Sequence, residues 1–312
     1  MKRIKKKIKK IRIQSAFILG LIGSGTLLIG ILSLLIFSAS PVPSPITYND
    51  SPQPTPAPTS APAPRPVLNS ALPQITAGHV IILDRDSQTV LYQNQADTPV
   101  PPASTTKIMT ALVVLENLPL NRQITVTSSF TDGQVAGFLP GETFTVEQLL
   151  YAMLVQSAND AAETLAENFT GGRISFIAAM NAKAKSLHLY NTNFINPTGL
   201  DEDNHYSSAS DLARLADVAM KNQEFSRIVA TENTVLPGNH VFTNVNELLS
   251  KVPGVLGIKT GFTDNAGQAL VTLVNQGHTL IIVVLKSTDR FDDTQKLIRW
   301  AYSSFTWTPP GT

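Results

Sequence analysis

The stretch Pro102-Ala103-Ser104-Thr105-Thr106-Lys107-Ile108-Met109-Thr110-Ala111 places a hydroxyl and an amine at the start of a predicted helix. Positions three apart share one face of a helix, so the amine of Lys107 is expected one turn from the hydroxyl of Ser104. A serine hydroxyl becomes a strong nucleophile only when a base takes its proton. A lysine serves as that base only when burial or another cation lowers its pKa. Taken alone, the pattern also fits an exposed helix start.

A second polar group follows in Leu154-Val155-Gln156-Ser157-Ala158-Asn159-Asp160. It lies between two segments of helical periodicity, so we expect a turn that presents the Ser157 hydroxyl and the Asn159 amide together. Such a pair can relay a proton and hold a peptide carbonyl. The competing interpretation is local, because a serine at this position is also a typical cap of the helix that follows.

A third group, Lys259-Thr260-Gly261, leads into the predicted C-terminal strands. An edge strand that carries an ammonium and a hydroxyl can accept an anionic peptide. Lys259 would then oppose a carboxylate by charge, and Thr260 would hydrogen-bond it. Gly261 removes the side chain where a substrate backbone would approach the strand. Taken singly, the tripeptide also fits a surface turn.

The three motifs follow one another as S-x-x-K, S-x-N and K-T-G, which is the order of penicillin-binding proteins and active-site-serine β-lactamases. Each motif also lies in the expected context of a helix start, an interhelical loop and a strand. The stretches 102–111, 156–162 and 257–263 resemble the low-molecular-mass D-alanyl-D-alanine carboxypeptidases. The resemblance covers roughly residues 78–302 and includes the segments 196–200 and 210–213 and the residues Asn246, Leu248 and Leu249.

The resemblance implies a serine-type peptidase that removes the terminal D-alanine from peptidoglycan stem peptides ending in D-Ala-D-Ala. It also implies acylation by β-lactam antibiotics. Ser104 would be acylated, Lys107 would accept its proton, and Ser157 would pass a proton to the leaving amine. Asn159 would orient Lys107 and the substrate amide. The backbone N–H groups of Ser104 and Phe262 would form the oxyanion hole.

The same resemblance assigns the terminal carboxylate of the substrate to Lys259 and Thr260. Arg290 matches a family arginine that helps to bind this carboxylate. The alternative for Arg290 is an ion pair with Asp293 at a helix N-terminus. Phe262 stands where many relatives have His or Tyr, which leaves its backbone role intact and leaves the preference for the leaving group open.

Two related activities and one non-enzymatic function compete with this interpretation. A DD-endopeptidase uses the same residues to cut cross-links and stays open. A β-lactamase of the common kind adds a glutamate in an E-x-x-x-N arrangement after S-x-N, and residues 163–204 lack that spacing. A penicillin sensor or scaffold would need a cytoplasmic output, and only about 13 residues precede the apolar N-terminal segment.

Periodicity along residues 78–302 predicts an α+β fold of the β-lactamase/DD-peptidase kind. A strand pair comes first, helical periodicity then runs from Ser104 to about Phe225, and strand character returns after Gly254. The chain then ends in a helix capped by Asp289. We therefore expect one antiparallel sheet built from both chain ends, with flanking helices and an inserted helical region.

Composition narrows the function classes. Eight of the 24 basic residues lie between positions 2 and 12, so the rest of the chain has 16 basic against 23 acidic residues. A body with that balance is not expected to bind nucleic acid. The chain has no cysteine, which excludes disulfides and thiolate zinc sites. Its five histidines show no metal-binding spacing, so no metal or cofactor is predicted.

The N-terminal segment predicts a membrane anchor. Residues 16–37 contain no charge over 22 positions, enough for a spanning helix, and the basic residues lie on its N-terminal side. This asymmetry places the N-terminus in the cytoplasm and the remainder outside a bacterial cell membrane. The alternative is a cleaved signal peptide and a secreted form, with small residues at Ser38-Ala39-Ser40.

Ten of the 26 residues from 41 to 66 are proline, which is typical of an extended spacer without a core. We therefore divide the chain into a basic tail (1–15), an anchor helix (16–38), a disordered linker (39–72), a catalytic domain (73–306) and a short tail (307–312).

Overall fold

The computed structural model describes residues 63–67 and 71–307. The predicted tail, anchor helix and most of the predicted linker lie outside these residues. Five strands form the central sheet: β2 (His79–Asp84), β3 (Thr89–Asn94), β8 (Val255–Thr263), β9 (Gly267–Asn275) and β10 (Thr279–Ser287). They are antiparallel in the order β3-β2-β10-β9-β8. The prediction of one antiparallel sheet from both chain ends is confirmed, and β8 lies at its edge.

A helical region is inserted between β3 and β8, as the periodicity predicts. A 3₁₀ turn at Ala103–Thr106 precedes the first helix. The helices are α1 (Lys107–Asn117), α2 (Val146–Val155), α3 (Asn159–Glu167), α4 (Gly172–Ser186), α5 (Ala209–Ala219), α6 (Gln223–Val229) and α7 (Leu248–Lys251). Two short hairpins, β4 (Gln123–Thr125) with β5 (Thr143–Thr145) and β6 (Asn233–Leu236) with β7 (His240–Thr243), lie among them.

Both faces of the sheet are covered, which explains why its inner strands are apolar without alternation. Ile81 and Val283 belong to the core shared with the inserted helices. Ile82 and Val284 point to the other face and pack in a second core with the last helix, α8 (Arg290–Ser304). Successive residues of a strand face opposite sides, so each strand contributes to both cores.

The last helix begins as predicted. The side chain of Asp289 accepts a hydrogen bond from the backbone N–H of Asp292 at 3.0 Å and caps the helix. The residues Leu297, Ile298 and Ala301 are buried against the sheet. This packing fixes the first turn of α8 beside the edge strand β8, where Arg290 lies.

One part of the predicted linker has to be corrected. Pro64–Pro66 forms a strand, β1, that pairs antiparallel with β11 (Phe305–Trp307). Trp307 extends this contact, because its indole N–H donates to Asp84 at 2.8 Å. Proline lacks an N–H donor but is tolerated in an edge strand, so composition alone did not reveal the pairing.

Within residues 63–67 and 71–307, no helix combines the length and the hydropathy needed to cross a bilayer. The predicted span at 16–38 lies outside the described residues.

Candidate active site

Ser104 lies in the 3₁₀ turn that leads into α1, and it does not cap that helix. The helix has no side-chain cap, and the turn is instead held by Thr105, whose hydroxyl donates to the carbonyl of Pro102 at 2.6 Å. The alternative of an exposed helix start is wrong, because Lys107 is fully buried. The Ser104 side chain is therefore free to face the groove described below.

Three oxygen atoms surround the amine of Lys107. Its Nζ lies 2.9 Å from Oγ of Ser104, 2.6 Å from Oδ1 of Asn159 and 2.7 Å from the backbone carbonyl of Thr198. The amide and backbone carbonyls can only accept hydrogen bonds. When the amine is neutral, these two oxygens accept hydrogen bonds from its two N–H groups. The remaining lone pair then faces the hydroxyl of Ser104, which is the arrangement that a base requires.

The surroundings of Lys107 favour that neutral form. Burial lowers its pKa well below the ordinary value, and the nearby charge of Lys259 lowers it further. Glu163 and Asp160 oppose this effect but do not reverse it. Removal of a cation from water disfavours the charged state, so the folded protein itself prepares the amine to accept a proton.

The S-x-N motif occupies the loop between α2 and α3. Ser157 has a positive φ of 68° and is buried at the wall of the groove. Asn159 bonds Lys107 through its oxygen and donates through Nδ2 to the carbonyl of Asp132 at 2.8 Å. The capping interpretation of Ser157 is wrong, since Ala158 precedes α3 and no side chain caps that helix.

Asp160, directly after the motif, holds a loop over the site. Its carboxylate accepts backbone N–H bonds from Ala136, Gly137 and Phe138 at 2.8–3.1 Å. The side chain is almost fully buried, so these charge-assisted bonds replace its lost hydration. They fix residues 132–138, whose carbonyl at Asp132 positions Asn159. The sequence did not reveal this role, because the acceptor contacts residues more than 20 positions away.

The loop 196–200 supplies the carbonyl that binds Lys107. The side-chain oxygen of Asn196 accepts hydrogen bonds from the hydroxyl of Thr198 at 3.0 Å and the backbone N–H of Gly199 at 2.7 Å. Gly199 has a φ of +89°, and a Cβ there would lie 1.9 Å from the carbonyl oxygen of Ala103. Only glycine lets this loop lie against the turn that carries the nucleophile.

We therefore expect Gly199→Ala to destabilise the protein by about 3 kcal/mol or more, because steric overlap adds to the cost of a positive φ. The loop would move away from Ala103 and withdraw the Thr198 carbonyl from Lys107. Urea unfolding and the rate of penicillin acylation measure the two effects. Gly141→Ala is the matched control, since its φ is +96° but no atom lies within 4 Å of the added Cβ. Its expected cost is about 1 kcal/mol, and equal effects of the two variants would contradict the steric argument.

A buried histidine joins the same loop to α1. The imidazole of His205 accepts a hydrogen bond at Nδ1 from the backbone N–H of Ile195 at 3.0 Å. Its Nε2 lies 2.9 Å from the hydroxyl of Thr106, which assigns the proton to Nε2. Burial lowers the pKa of His205 to about 4, so the ring stays neutral. Its role is therefore structural.

The edge strand β8 lies directly beside the nucleophile turn. A Cβ on Gly261 would lie 3.0 Å from both the Cβ of Ala103 and the backbone N of Ser104. The close approach explains why this position is glycine. It also brings the strand residues Thr260 and Phe262 to the groove that contains Ser104.

Lys259 points into the protein from the same strand. Its side chain is 1% exposed, and Nζ donates to the carbonyl of Thr260 at 3.2 Å. Burial, together with the charge of Arg290, lowers the pKa of Lys259 to about 7. The Lys259 amine therefore contributes positive charge from behind the wall of the groove, whereas Thr260 lies at the groove itself.

Arg290 contacts β8 and not Asp293, so the alternative of a helix N-terminal ion pair is wrong. Its guanidinium donates to the carbonyl of Gly261 at 2.9 Å. Asp293 instead accepts hydrogen bonds from Thr76 and Ser287, each at 2.7 Å from a hydroxyl. The contact places a cation at one end of the groove, across the strand from Lys259.

These elements enclose one groove of about 290 Å³, which we call the nucleophile groove. Its lining includes residues from all three motifs, the residue that follows the third motif, and α8, namely Ser104, Ser157, Asn159, Thr260, Gly261, Phe262 and Arg290. Lys107 and Lys259 lie behind its wall. Within the described residues, no group of three or more histidine and acidic side chains is arranged to hold a metal ion.

An α+β fold with a serine and a buried lysine paired at one groove defines the class of active-site-serine peptidases and penicillin-binding proteins. The comparisons with known proteins agree. Residues 66–289 match the peptidase S11 family of D-alanyl-D-alanine carboxypeptidases. The chain belongs to this family.

Several relatives illustrate the match. The D-alanyl-D-alanine carboxypeptidase DacF of Bacillus subtilis is 35% identical over 244 residues, which are 73% of this chain and 63% of DacF. A D-alanyl-D-alanine endopeptidase of Pseudomonas aeruginosa is 34% identical over 241 residues, 73% of this chain and 77% of that protein. The crystal structure of the Streptomyces K15 DD-transpeptidase superposes with a TM-score of 0.70 at 33% identity, covering 75% of this chain and 99% of that one.

Proposed function

We propose that the protein is a serine-type D-Ala-D-Ala carboxypeptidase that removes the terminal D-alanine from peptidoglycan stem peptides. One observation carries the proposal: the buried amine of Lys107 lies 2.9 Å from the Ser104 hydroxyl, and its two other partners are carbonyls. This geometry supplies a nucleophile together with its base. The family membership supplies the substrate class.

The first half of the reaction forms an acyl-enzyme. Oγ of Ser104 attacks the carbonyl of the penultimate D-alanine while its proton moves to Nζ of Lys107. The backbone N–H groups of Ser104 and Phe262 stabilise the negative oxygen of the tetrahedral intermediate. Collapse of the intermediate breaks the D-Ala–D-Ala amide bond. Ser157 passes its proton to the departing amine and takes up the proton held by Lys107, so that Lys107 is neutral again when free D-alanine leaves.

In the second half, water replaces D-alanine. Lys107 takes a proton from the water as it attacks the ester carbonyl, and Ser104 leaves with a proton restored to Oγ. A β-lactam amide acylates Ser104 in the same first step, because its carbonyl and carboxylate have a similar spacing. Penicillin is therefore expected to act as an inhibitor that occupies the serine.

Recognition of the terminal carboxylate falls to the strand and α8. Thr260 offers a hydroxyl at the groove, and Arg290 presents a guanidinium at its end. Lys259 adds a positive charge from behind the strand. An anion placed between these groups is favoured over a neutral chain end, as a carboxypeptidase requires.

DD-endopeptidase activity is the second candidate, because a relative of 34% identity carries that name. The deciding experiment compares two substrates, a pentapeptide ending in D-Ala-D-Ala and a cross-linked muropeptide dimer. We expect release of free D-alanine from the pentapeptide, measured by coupled oxidation. Cleavage of the dimer alone would assign the protein as an endopeptidase, and cleavage of neither would contradict both.

The two lysines predict a bell-shaped dependence of kcat/KM on pH. Lys107 acts as a base only when it is neutral. Activity therefore falls when the pH drops below the lowered pKa of Lys107 and its amine becomes protonated. Lys259 has to be charged, so activity falls as pH rises past its pKa of about 7 in the free enzyme. Arg290→Gln removes a cation that lowers the pKa of Lys259 and is expected to move the alkaline limb to higher pH.

The control for that shift is Arg227→Gln, because Arg227 pairs with Glu147 and Glu224 away from the groove. It is expected to leave both limbs in place. An alkaline limb at the same pH in the Arg290 variant and the wild type would contradict the assignment of Lys259.

For location, our proposal is that residues 16–38 anchor the protein in a bacterial cell membrane with the N-terminus in the cytoplasm. It is supported by the 22 uncharged positions and by the basic residues that precede them. The catalytic domain then works outside the membrane at the end of a Pro-rich linker. Fractionation of the full chain tests this, with recovery in carbonate-washed membranes expected and release into the medium as a shortened form contradicting it.

A further inference from the structure

Asp293 is a buried carboxylate that the proposed reaction does not use. It lies in the first turn of α8, where it is fully shielded from solvent. Its Oδ1 accepts a hydrogen bond from the backbone N–H of Thr76 at 2.9 Å. Its Oδ2 accepts from the hydroxyls of Thr76 and Ser287, each at 2.7 Å. All three donors are neutral groups, so hydrogen bonds within the fold, and not an ion pair, fix this side chain.

The two hydroxyls pass this constraint to the backbone of α8. Both give their protons to the carboxylate, which can only accept, and both are then left as acceptors for backbone N–H groups. The Thr76 hydroxyl accepts from Thr288 at 3.0 Å, and the Ser287 hydroxyl accepts from Asp289 at 2.9 Å. These two donors directly precede Arg290, so the buried carboxylate fixes the backbone that leads into the arginine.

Gln268 on β9 holds the same stretch as well. Its side-chain oxygen accepts a hydrogen bond from the backbone N–H of Arg290 at 3.2 Å, and its Nε2 donates to the carbonyl of Thr288 at 2.8 Å. The side chain of Arg290 extends from this fixed backbone to the carbonyl of Gly261 at the end of the nucleophile groove.

The guanidinium of Arg290 depends on that backbone for its position. Among the described residues, the carbonyl of Gly261 is its one hydrogen-bond partner, and its Nε is buried without any. The ring of Phe291 supports it at 4.8 Å from the ring centre. One bond and one ring leave a long side chain free to rotate, so a shift of α8 moves the cation. A misplacement of roughly 1 Å can cost about 10²-fold in rate.

We infer that Asp293 is a positioning residue for Arg290. Together with Thr76 and Ser287, it holds the first turn of α8 so that the guanidinium stays where the terminal carboxylate of the substrate binds. The inference rests on the proposed function. It extends carboxylate recognition to Thr76, which precedes the first strand of the central sheet and lies 217 positions from Asp293.

The first test compares a pentapeptide ending in D-Ala-D-Ala with the same peptide ending in a carboxamide. The ratio of their kcat/KM values measures recognition of the carboxylate. Arg290→Gln should lower this ratio about tenfold, the scale of one charge-assisted hydrogen bond. Asp293→Asn keeps the shape of the side chain and removes its charge. It should lower the ratio about fivefold, because Arg290 is displaced but still present. Released D-alanine and D-alaninamide are quantified by mass spectrometry.

A double-mutant cycle separates positioning from a general structural role. If Asp293 acts through Arg290, adding Asp293→Asn to Arg290→Gln should change the ratio by less than about twofold. Independent effects would instead multiply to a loss of about 50-fold in the double variant.

The alkaline limb of kcat/KM gives a second readout that a loss of stability does not move. Arg290 lowers the pKa of Lys259, so displacement of Arg290 lets that pKa rise. Asp293→Asn should therefore move the limb to higher pH, as Arg290→Gln does. The lost carboxylate charge by itself would act in the opposite direction, because a nearby anion raises the pKa of a lysine. The sign of the shift distinguishes the two effects.

Thr76→Val tests the network without a change of charge. It removes the hydroxyl, keeps the backbone N–H and should lower the ratio about threefold. Thr76→Ser restores the hydroxyl and should keep the wild-type ratio. Asp211→Asn is the matched control, because Asp211 is buried in the first turn of α5 and accepts a backbone N–H from Asn191 and the hydroxyl of Thr192. It should lose stability with no change in the ratio.

The outcomes separate this inference from the proposed function. Wild-type ratios in both Asp293→Asn and Thr76→Val, with a lowered ratio in Arg290→Gln, would overturn the inference and leave the carboxypeptidase intact. Multiplying effects in the double variant, or an equal fall in Asp211→Asn, would overturn it too. Turnover of neither peptide by the wild type would remove the proposed function, and this inference with it.

Discussion

Ser104→Ala is expected to abolish covalent labelling by fluorescent penicillin and to lower kcat/KM for a D-Ala-D-Ala pentapeptide by about 10³-fold or more. The substitution removes the hydroxyl that faces the lone pair of the neutral Lys107 amine. No covalent intermediate can then form. Labelling is read from gel fluorescence, and the mass of the intact protein shows whether one penicilloyl group is added.

The fold of this variant is expected to survive. Lys107 keeps its contacts with Asn159 and Thr198, and the 3₁₀ turn keeps its Thr105 hydrogen bond. The urea midpoint should therefore stay close to that of the wild type. Ser303→Ala, an exposed serine on α8, is the control that should label normally. A full penicilloyl adduct on the Ser104 variant would show that another residue is the nucleophile.

Lys107→Met is expected to lower the acylation rate by about 10² to 10⁴-fold, the usual contribution of a general base. Methionine has a similar length and no polar hydrogen, so the Asn159 and Thr198 oxygens lose their donor. This loss should reduce the stability by about 1–3 kcal/mol without unfolding the protein. Stopped-flow acylation and urea unfolding measure the two effects. Lys221→Met, which removes a surface pair with Asp217, is the activity control.

The same variant tests the lowered pKa through the pH dependence of stability. In the unfolded chain Lys107 binds a proton up to its ordinary pKa, whereas in the folded protein it loses that proton at lower pH. The unfolded state therefore binds more protons between the two values, and the stability of the wild type rises with pH in that window. The advantage of the wild type over Lys107→Met should grow by up to about 1.4 kcal/mol per pH unit. A constant difference would contradict a lowered pKa.

The sequence predicted the convergence of the site because the three motifs each carry a local signal. A helix start brings Ser104 and Lys107 together, and a break between helices presents Ser157 and Asn159. An edge strand presents Thr260. The long-range step from these motifs to a single groove came from the order of the motifs and the family resemblance, since no periodicity links residues 100 or more positions apart.

Other parts of the site had no local signal. The carbonyl of Thr198 that binds Lys107 is a backbone group, and every residue has one. The hydrogen bonds that the Asp160 carboxylate accepts from residues 136–138 form only because a loop more than 20 positions away packs beside it. The contact of Arg290 with Gly261 depends on how α8 meets the sheet edge. The sequence suggested an ion pair with the nearby Asp293, but in the structure the guanidinium contacts the carbonyl of Gly261 instead.

The strand at Pro64–Pro66 shows the same limit in the fold. Proline-rich composition predicts an extended chain, and a strand is extended, so composition does not separate a spacer from an edge strand. The partner at Phe305–Trp307 lies about 240 positions away. Pairing between segments this far apart in the sequence cannot be predicted from local composition.

The protonation state of Lys107 tests the central claim most directly. The chemical shift of its Cε in ¹³C-lysine-labelled protein reports the charge of the amine, and absence of the signal in Lys107→Met identifies the resonance. We predict a titration midpoint well below 10.5, so that the amine is neutral under assay conditions and ready to take the proton of Ser104. A midpoint near 10.5 would make Lys107 a permanent cation and would contradict its assignment as the base.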